Sequence, residues 1–286
     1  MVCFLGPERM PAALPRTGRL LFLLAFVVVG LGISTYLPLP SPVITFRLPG
    51  TPAIVGLTLT PTRQVGLVLA WLACALVDNI MRGDRRLAGA GLARTFPYWV
   101  LPALLVLSAF GLGLYENLAG LRQQILGLAV AALALGLVIV AQLRSLDSAD
   151  RWFWPARLGL NAVASGLAFG LYFYVQRLPW RSLVVIPFVA LVSALLALQL
   201  VAGVRSSTAR TWGTAALVGL MMGELAWALS PGVLPPLAAA LLLLLAFYVL
   251  TGLLQQRLWG RLNRQVAAEF LAVGALGFIL ILRLLA

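Results

Sequence analysis

Residues 211–230 read TWGTAALVGLMMGELAWALS, a long apolar run that contains a single carboxylate, Glu224. At about 1.5 Å of rise per residue, Glu224 lies roughly 18 Å along a helix from Trp212, well inside a hydrocarbon core ~30 Å thick. A charged side chain near the bilayer centre costs ~3 kcal/mol on insertion scales. We therefore expect Glu224 to be protonated, paired, or directed toward protein or water.

The same run carries small residues at a four-residue spacing, namely Ala215, Gly219 and Gly223. On a helix this spacing forms a stripe that lets another backbone approach closely. Glu224 lies at the edge of the stripe, with Trp227 on the neighbouring face. Glu224 has two interpretations. In the functional one it is a proton or cation site, or the counter-charge of a ligand. In the structural one it is the partner of an arginine or polar group on another helix. Both interpretations place it in the interior of a bundle.

The composition of the chain indicates one structural class. Of 286 residues, 62% are hydrophobic and 10% are charged, and long apolar runs recur throughout. We predict an all-α polytopic integral membrane bundle with about nine transmembrane helices. A basic tail, 1–19, precedes a single transmembrane domain, 20–286, in which the outer loop 38–62 is consistent with a small hairpin. The predicted spans are 20–37, 64–81, 97–115, 125–143, 158–175, 183–204, 212–230, 237–254 and 266–286.

The positions of the basic residues predict how the chain is oriented. All 21 basic residues are arginine. With a cytoplasmic N-terminus, 15 of them fall in inner segments and 6 in outer segments, which is the bias of the positive-inside rule. We therefore predict a multi-pass protein of a bacterial inner membrane with its N-terminus in the cytoplasm. Because this topology accounts for the net charge of +13, we expect no nucleic-acid partner.

The sequence offers few groups for metal or cofactor chemistry. It has no histidine, which removes the commonest metal ligand and the usual acid–base group. Its two cysteines, Cys3 and Cys74, lie far apart and form neither a metal-binding motif nor a disulfide framework. We predict no metal site, no cofactor and no catalytic residues of these kinds.

The remaining polar residues are predicted to form two layers. The outer layer is the candidate intramembrane site and comprises Glu224, Trp227, Arg177 and Arg181. Within it, we expect Glu224 to pair first with Arg181. The inner layer is surrounded by arginines near the cytoplasmic helix ends, and it comprises Asp78, Asn161, Gln199 and Glu269. Intramembrane ionisable groups mark candidate functional sites, although they also serve as structural partners.

The loop RSLDSADRWFWPAR contains a further pair of acids, Asp147 and Asp150. Two carboxylates three residues apart share a face on a helix and are a weak signal for a metal bound with phosphate. The favoured interpretation is an amphipathic turn on the lipid headgroups, with tryptophan anchors and helix-capping aspartates.

Three classes of function remain open. The leading hypothesis is a non-enzymatic structural or accessory subunit, whose partners are membrane lipids and other membrane subunits. The second is a small-solute or proton-coupled transporter that uses Glu224, and it predicts a water-accessible cavity that reaches the acid. The third is a lipid-processing enzyme, which requires Asp147 and Asp150 to converge with another acid in a cytoplasmic pocket.

Several segments resemble a known family. GELAWALS, FPYWVLPAL, RSLDSADRWFWPARLGLN and LLLLAFYVLTGLLQQRLWGRLNRQVAAEF are similar to uncharacterised bacterial polytopic membrane proteins that share a domain of unknown function. The resemblance covers most of residues 64–286, chiefly through Gly223-Glu224 with Trp227 and through Gln255-Gln256. It implies a helical membrane fold and brings no assigned activity.

Overall fold

The computed structural model describes most of the chain beyond residue 40. Two strands and eight helices lie within the described residues, which are 18, 25, 41–47, 54–58, 60–84, 87, 89–111, 121–146, 151–177, 182–202, 208–229, 234–260 and 262–285. Apart from residues 18 and 25, the basic tail 1–19 and the first predicted span, 20–37, lie outside them. The helices are α1 (Pro61–Arg82), α2 (Leu92–Gly111), α3 (Leu121–Arg144), α4 (Phe153–Arg177), α5 (Ser182–Ala202), α6 (Thr208–Ala228), α7 (Pro236–Leu258) and α8 (Arg264–Leu285).

A two-stranded hairpin lies in the loop that precedes α1. Strand β1 (Val43–Arg47) pairs antiparallel with β2 (Ile54–Thr58), with Val43 opposite Thr58 and Arg47 opposite Ile54. Both strands are rich in β-branched residues, and the connecting sequence LPGTPA carries the proline and glycine typical of a turn.

Six of the helices are long and apolar enough to cross a membrane, namely α1, α2, α4, α5, α7 and α8. The chain is therefore a helical membrane bundle, as its composition predicts. Helix α6, which carries Arg210 and Glu224, is not among the six, and in α3 only the shorter segment Ala129–Arg144 is apolar enough. At 21 residues α6 is nevertheless about 31 Å long, close to the thickness of the hydrocarbon core.

Local signals explain where α1 begins and why α2 is unusual. Thr60 caps α1 by accepting a hydrogen bond from the Arg63 backbone N–H at 3.4 Å, and Pro61 occupies the first turn. The predicted span 97–115 begins too late, because the helix begins at Leu92 and contains both Pro97 and Pro102. Bundled membrane helices tolerate such prolines when other groups satisfy the carbonyls that they leave free.

Helices α5 and α6 form the most extensive contact among the described helices. A Cβ added to Gly219 would lie 2.7 Å from both the Ala190 carbonyl oxygen and the Ala194 Cβ, and one added to Gly223 would lie 3.1 Å from the Ala190 Cβ. Ala215 is buried on the same face. The predicted small-residue stripe is thus confirmed as a packing surface.

The hydrophobic core of the bundle consists of two buried clusters. One buried cluster joins α2 through α7, and a second joins α1, α2 and α3. Between α4 and α5, the Tyr172 hydroxyl and the Ser193 Oγ lie 2.7 Å apart in the core, with the Phe247 ring edge-on to Tyr172. Helix α8 packs on α7, and only 6% of its candidate span is buried, so it is the most peripheral described helix.

Candidate functional site

A set of polar side chains, most of them buried, gathers at one end of the bundle, and we term this set the polar layer. It lies where α2 and α4 begin and where α3, α5 and α7 end. Isolated polar groups inside a membrane protein require partners, since lipid offers none. The layer is defined by Tyr98, Gln142, Ser145, Arg157, Asn161, Gln199 and Gln255.

Arg157 is the charged group of the polar layer, and it is only 9% exposed. Its Nη2 donates a hydrogen bond of 2.8 Å to the Leu200 carbonyl oxygen, to which Gln255 Nε2 also donates at 3.4 Å. Leu200 lies in the last turn of α5, where carbonyls have no partner within the helix. Arg157 on α4 and Gln255 on α7 therefore cap α5 jointly. The negative end of the α5 dipole also favours a cation at this position.

Two aromatic rings cover the buried guanidinium. The Arg157 Cζ lies 5.5 Å from the centre of the Trp259 ring and 5.7 Å from that of Phe153. Trp259 follows the last residue of α7, and Phe153 is the first residue of α4. Cation–π contacts of this kind are most favourable when the cation is desolvated. Arg157 thus connects the ends of three helices, α4, α5 and α7.

The two prolines of α2 explain two further contacts between helices. In a regular helix the Tyr98 carbonyl would accept from residue 102, and the Ala93 carbonyl from residue 97, but proline has no N–H. Gln142 Nε2 of α3 donates to the Tyr98 carbonyl oxygen at 3.1 Å. Trp212 Nε1 of α6 donates to the Ala93 carbonyl oxygen at 3.2 Å. Side chains from neighbouring helices therefore satisfy both carbonyls.

A small cavity lies within the polar layer. Its volume is about 10 Å³, and its lining includes Asn161 and Ser145. Two buried atoms at this cavity, Arg157 Nη1 and Gln199 Oε1, have no hydrogen-bond partner among the described residues. A cavity of about this size holds roughly one water molecule, which needs polar groups of this kind. The cavity therefore suits a bridging water molecule and is too small for a solute.

The structure places the predicted inner residues in three different settings. Asn161 and Gln199 both line the cavity of the polar layer. Asp78 lies apart from them in a local ion pair, 2.6 Å from Arg82 Nε, and its other oxygen accepts from Trp99 Nε1 at 3.2 Å. Glu269 is exposed on α8. The structure therefore brings the two amides together at one cavity and places the two acids elsewhere.

The expectation that Glu224 faces the bundle interior is wrong. Glu224 is exposed and has no hydrogen bond or ion pair with any described residue. The reason is the helical period, because the glycine stripe faces α5 and turns the next residue in the sequence about 100° away from that contact. Glu224 also lies four residues before the end of α6, only about 6 Å from it, so it is closer to an interface than to the bilayer centre.

The other predicted outer residues do not form a site with Glu224 in the described part of the chain. Trp227 is 68% exposed on the same side of α6. Arg177 ends α4 and lies 5.0 Å from the centre of its own helix's Phe173 ring. Arg181, the expected partner, lies outside the described residues, as do Asp147 and Asp150. The predicted Glu224–Arg181 pair therefore remains a prediction, and so does the acid pair of the loop.

Sequence reasoning assigned Arg157 to topology alone and so missed its central place in the polar layer. The signals that point to it were present. Gln142 and Gln255 are amides near the ends of apolar helices, and Pro102 follows Tyr98 by four residues, the spacing of a helical hydrogen bond. Each of these features marks a carbonyl or an amide that needs a partner on another helix.

Comparison with known families identifies the chain. Residues 39–284 match the family described as Protein of unknown function (DUF5656), and since the match covers most of the chain, the protein belongs to that family. The resemblance noted in the sequence is consistent with this assignment. Comparison with curated proteins and with solved structures finds no match.

Proposed function

We propose that this member of the DUF5656 family is a non-enzymatic subunit of a membrane assembly. The observation that carries the proposal is the use of the polar layer, in which Arg157, Gln142 and Gln255 all donate to main-chain carbonyls of other helices. Groups engaged in this way stabilise a particular arrangement of helices. This favours a rigid scaffold in the membrane over a site where chemistry takes place.

The proposal includes a location and an orientation. The polar layer lies at the end of the bundle that carries the arginine-rich connections, such as the one between α7 and α8. The positive-inside bias supports a cytoplasmic location for this end, with the N-terminus on the same side, in the inner membrane of a bacterium.

The outward face of α6 is the proposed contact surface for a partner. This face, which we term the α6 face, presents a carboxylate among large apolar side chains, all of them exposed: Leu217, Leu220, Met221, Glu224 and Trp227. A carboxylate beside lipid is unfavourable, and its penalty falls when a donor from another chain reaches it. A partner helix that supplies an arginine or another hydrogen-bond donor fits this surface, because it also covers the apolar residues.

The transporter alternative has less support from the geometry. It requires a polar path that reaches Glu224, whereas the acid points outward and the cavity of the polar layer is about 10 Å³. The lipid-processing alternative depends on Asp147 and Asp150, which lie outside the described residues. That alternative therefore remains a prediction, and the subunit proposal is the one that the described contacts support.

Site-specific photocross-linking in the native membrane tests the α6 face. A photoreactive amino acid is placed at Leu220 on this face and, as a matched control, at Leu133 on α3, because the two leucines are 63% and 66% exposed. We expect a discrete cross-linked protein from position 220 and none from position 133. We also expect Glu224→Leu to reduce the cross-link, since the variant cannot accept the partner's hydrogen bond.

Two results would contradict the subunit proposal. One is a pattern in which positions 220 and 133 give the same diffuse products, which indicates contact with lipid only. The other is proton-coupled uptake of a solute into vesicles that contain the purified protein, if Glu224→Gln abolishes this uptake. Such a result indicates transport.

A further inference from the structure

Two cations flank one tryptophan at the arginine-rich end of the bundle. Arg144 is the last residue of α3, and Arg151 lies two residues before α4. The Cζ of each guanidinium is 5.6 Å from the centre of the Trp152 ring. Both arginines are exposed at the surface of the bundle.

A contact between two further tryptophans brings another basic segment beside these arginines. Trp154 and Trp259 meet edge to face with ring centres 5.8 Å apart, which places the turn between α7 and α8 next to the start of α4. The two adjoining segments, 144–157 and 257–264, carry six arginines against two aspartates. The surface formed by Arg144, Arg151, Trp152, Trp154 and Trp259 is termed the Arg–Trp cluster.

The depth of the cluster suits the headgroup region of a bilayer. Trp152 and Trp154 are 47% and 52% exposed, and such rings are typical of membrane interfaces, where one part is apolar and the other is wet. Guanidinium groups bind phosphate oxygens through two parallel hydrogen bonds. Basic pockets at the cytoplasmic ends of membrane helices are the usual sites for anionic headgroups.

We propose that the Arg–Trp cluster binds an anionic phospholipid, with the headgroup phosphate held by Arg144 and Arg151 beside the Trp152 ring. The ligand is a lipid and not a soluble phosphate, because exposed indoles next to the cations would otherwise face water. The site is independent of the α6 face, which lies on another helix. Its failure would therefore leave the subunit proposal untouched.

Lipid retention by the full-length protein tests the site. The protein is reconstituted in an equal mixture of phosphatidylcholine and phosphatidylglycerol, extracted in mild detergent, and its retained lipids are quantified by mass spectrometry. We expect the wild type to retain more phosphatidylglycerol than phosphatidylcholine. The Arg144→Gln/Arg151→Gln protein should bind phosphatidylglycerol about thirtyfold more weakly. This factor corresponds to roughly 2 kcal/mol, as expected for two basic residues near an anionic surface.

Matched variants separate lipid recognition from damage to the fold. Arg177→Gln is the control, because Arg177 makes the same type of cation–π contact at the opposite end of α4 and should keep the preference. Arg144→Lys/Arg151→Lys retains the charge and should recover most of the binding. Inorganic phosphate at matched ionic strength should not displace the lipid. Equal retention of the two lipids by the wild type would overturn the proposal, as would equal losses in the Arg177→Gln and Arg144→Gln/Arg151→Gln proteins.

Discussion

At the scale of single residues, the bundle depends on side chains that reach main-chain carbonyls of other helices. Pro102 removes the N–H that would bond to the Tyr98 carbonyl, and Gln142 replaces it from α3. The end of α5 leaves the Leu200 carbonyl without a helical partner, and Arg157 of α4 supplies the missing donor. An unsatisfied buried carbonyl costs about 1–3 kcal/mol, so each replacement stabilises a specific pairing of helices.

A double-mutant cycle tests the role of Gln142. Gln142→Leu leaves the Tyr98 carbonyl unpaired and should lower the free energy of unfolding by about 1–2 kcal/mol. Pro102→Ala restores an N–H at the position that normally bonds to this carbonyl, so the same Gln142→Leu change should cost much less in that background. Thermal unfolding of the four purified proteins measures the coupling. Equal losses in the two backgrounds would show that Gln142 acts by another route.

The replacement of Arg157 should have a larger effect. Arg157→Leu removes the hydrogen bond to the Leu200 carbonyl and the contacts with Trp259 and Phe153, and we expect a loss of about 2–4 kcal/mol. Arg264→Gln is the matched control, because this arginine is exposed, and its effect should stay within about 0.5 kcal/mol. The melting temperatures of both variants in detergent check this prediction, and similar values for the two would contradict it.

At the scale of the helices, sequence patterns established some contacts and left others open. The spacing of Ala215, Gly219 and Gly223 predicted a close approach, and α5 packs there. The similar Gly166 and Gly170 pair of α4 does not mark one in the described part of the chain, since a Cβ at either glycine meets no described atom within 4 Å. A four-residue period shows which residues share a face, but the partner's position decides whether that face is covered.

Substitution of these glycines distinguishes the two cases. Gly219→Val would bring side-chain carbon against the Ala190 carbonyl and the Ala194 methyl group, and we expect a loss of about 1–3 kcal/mol as α5 and α6 separate. Gly166→Val introduces the same side chain into open space and should change stability little. Melting temperatures of the two proteins provide the test. A larger effect at Gly166 than at Gly219 would contradict the assigned contact.

At the scale of the whole molecule, hydrophobicity was enough to predict the class and the approximate positions of the helices. The candidate site was harder to predict for a physical reason. Arg157 follows other loop arginines, so its sequence context suggests a headgroup anchor, and only the convergence of three helix ends shows that it is buried. The outward direction of Glu224 likewise depends on where α5 docks, which one helix's own sequence does not specify.

The orientation of the bundle underlies the proposed partner surface, the lipid site and the location of the polar layer. Cysteine accessibility in intact cells tests it most directly, with Arg177→Cys and Asn263→Cys introduced separately into a chain that lacks Cys3 and Cys74. Both positions are exposed. They lie at opposite ends of the bundle, because Arg177 ends α4 and Asn263 belongs to the turn next to the start of α4, which is about 37 Å long. We predict that a membrane-impermeant maleimide labels the Arg177→Cys protein in intact cells and the Asn263→Cys protein only after permeabilisation; the reverse pattern, or labelling of both from outside, would contradict the account.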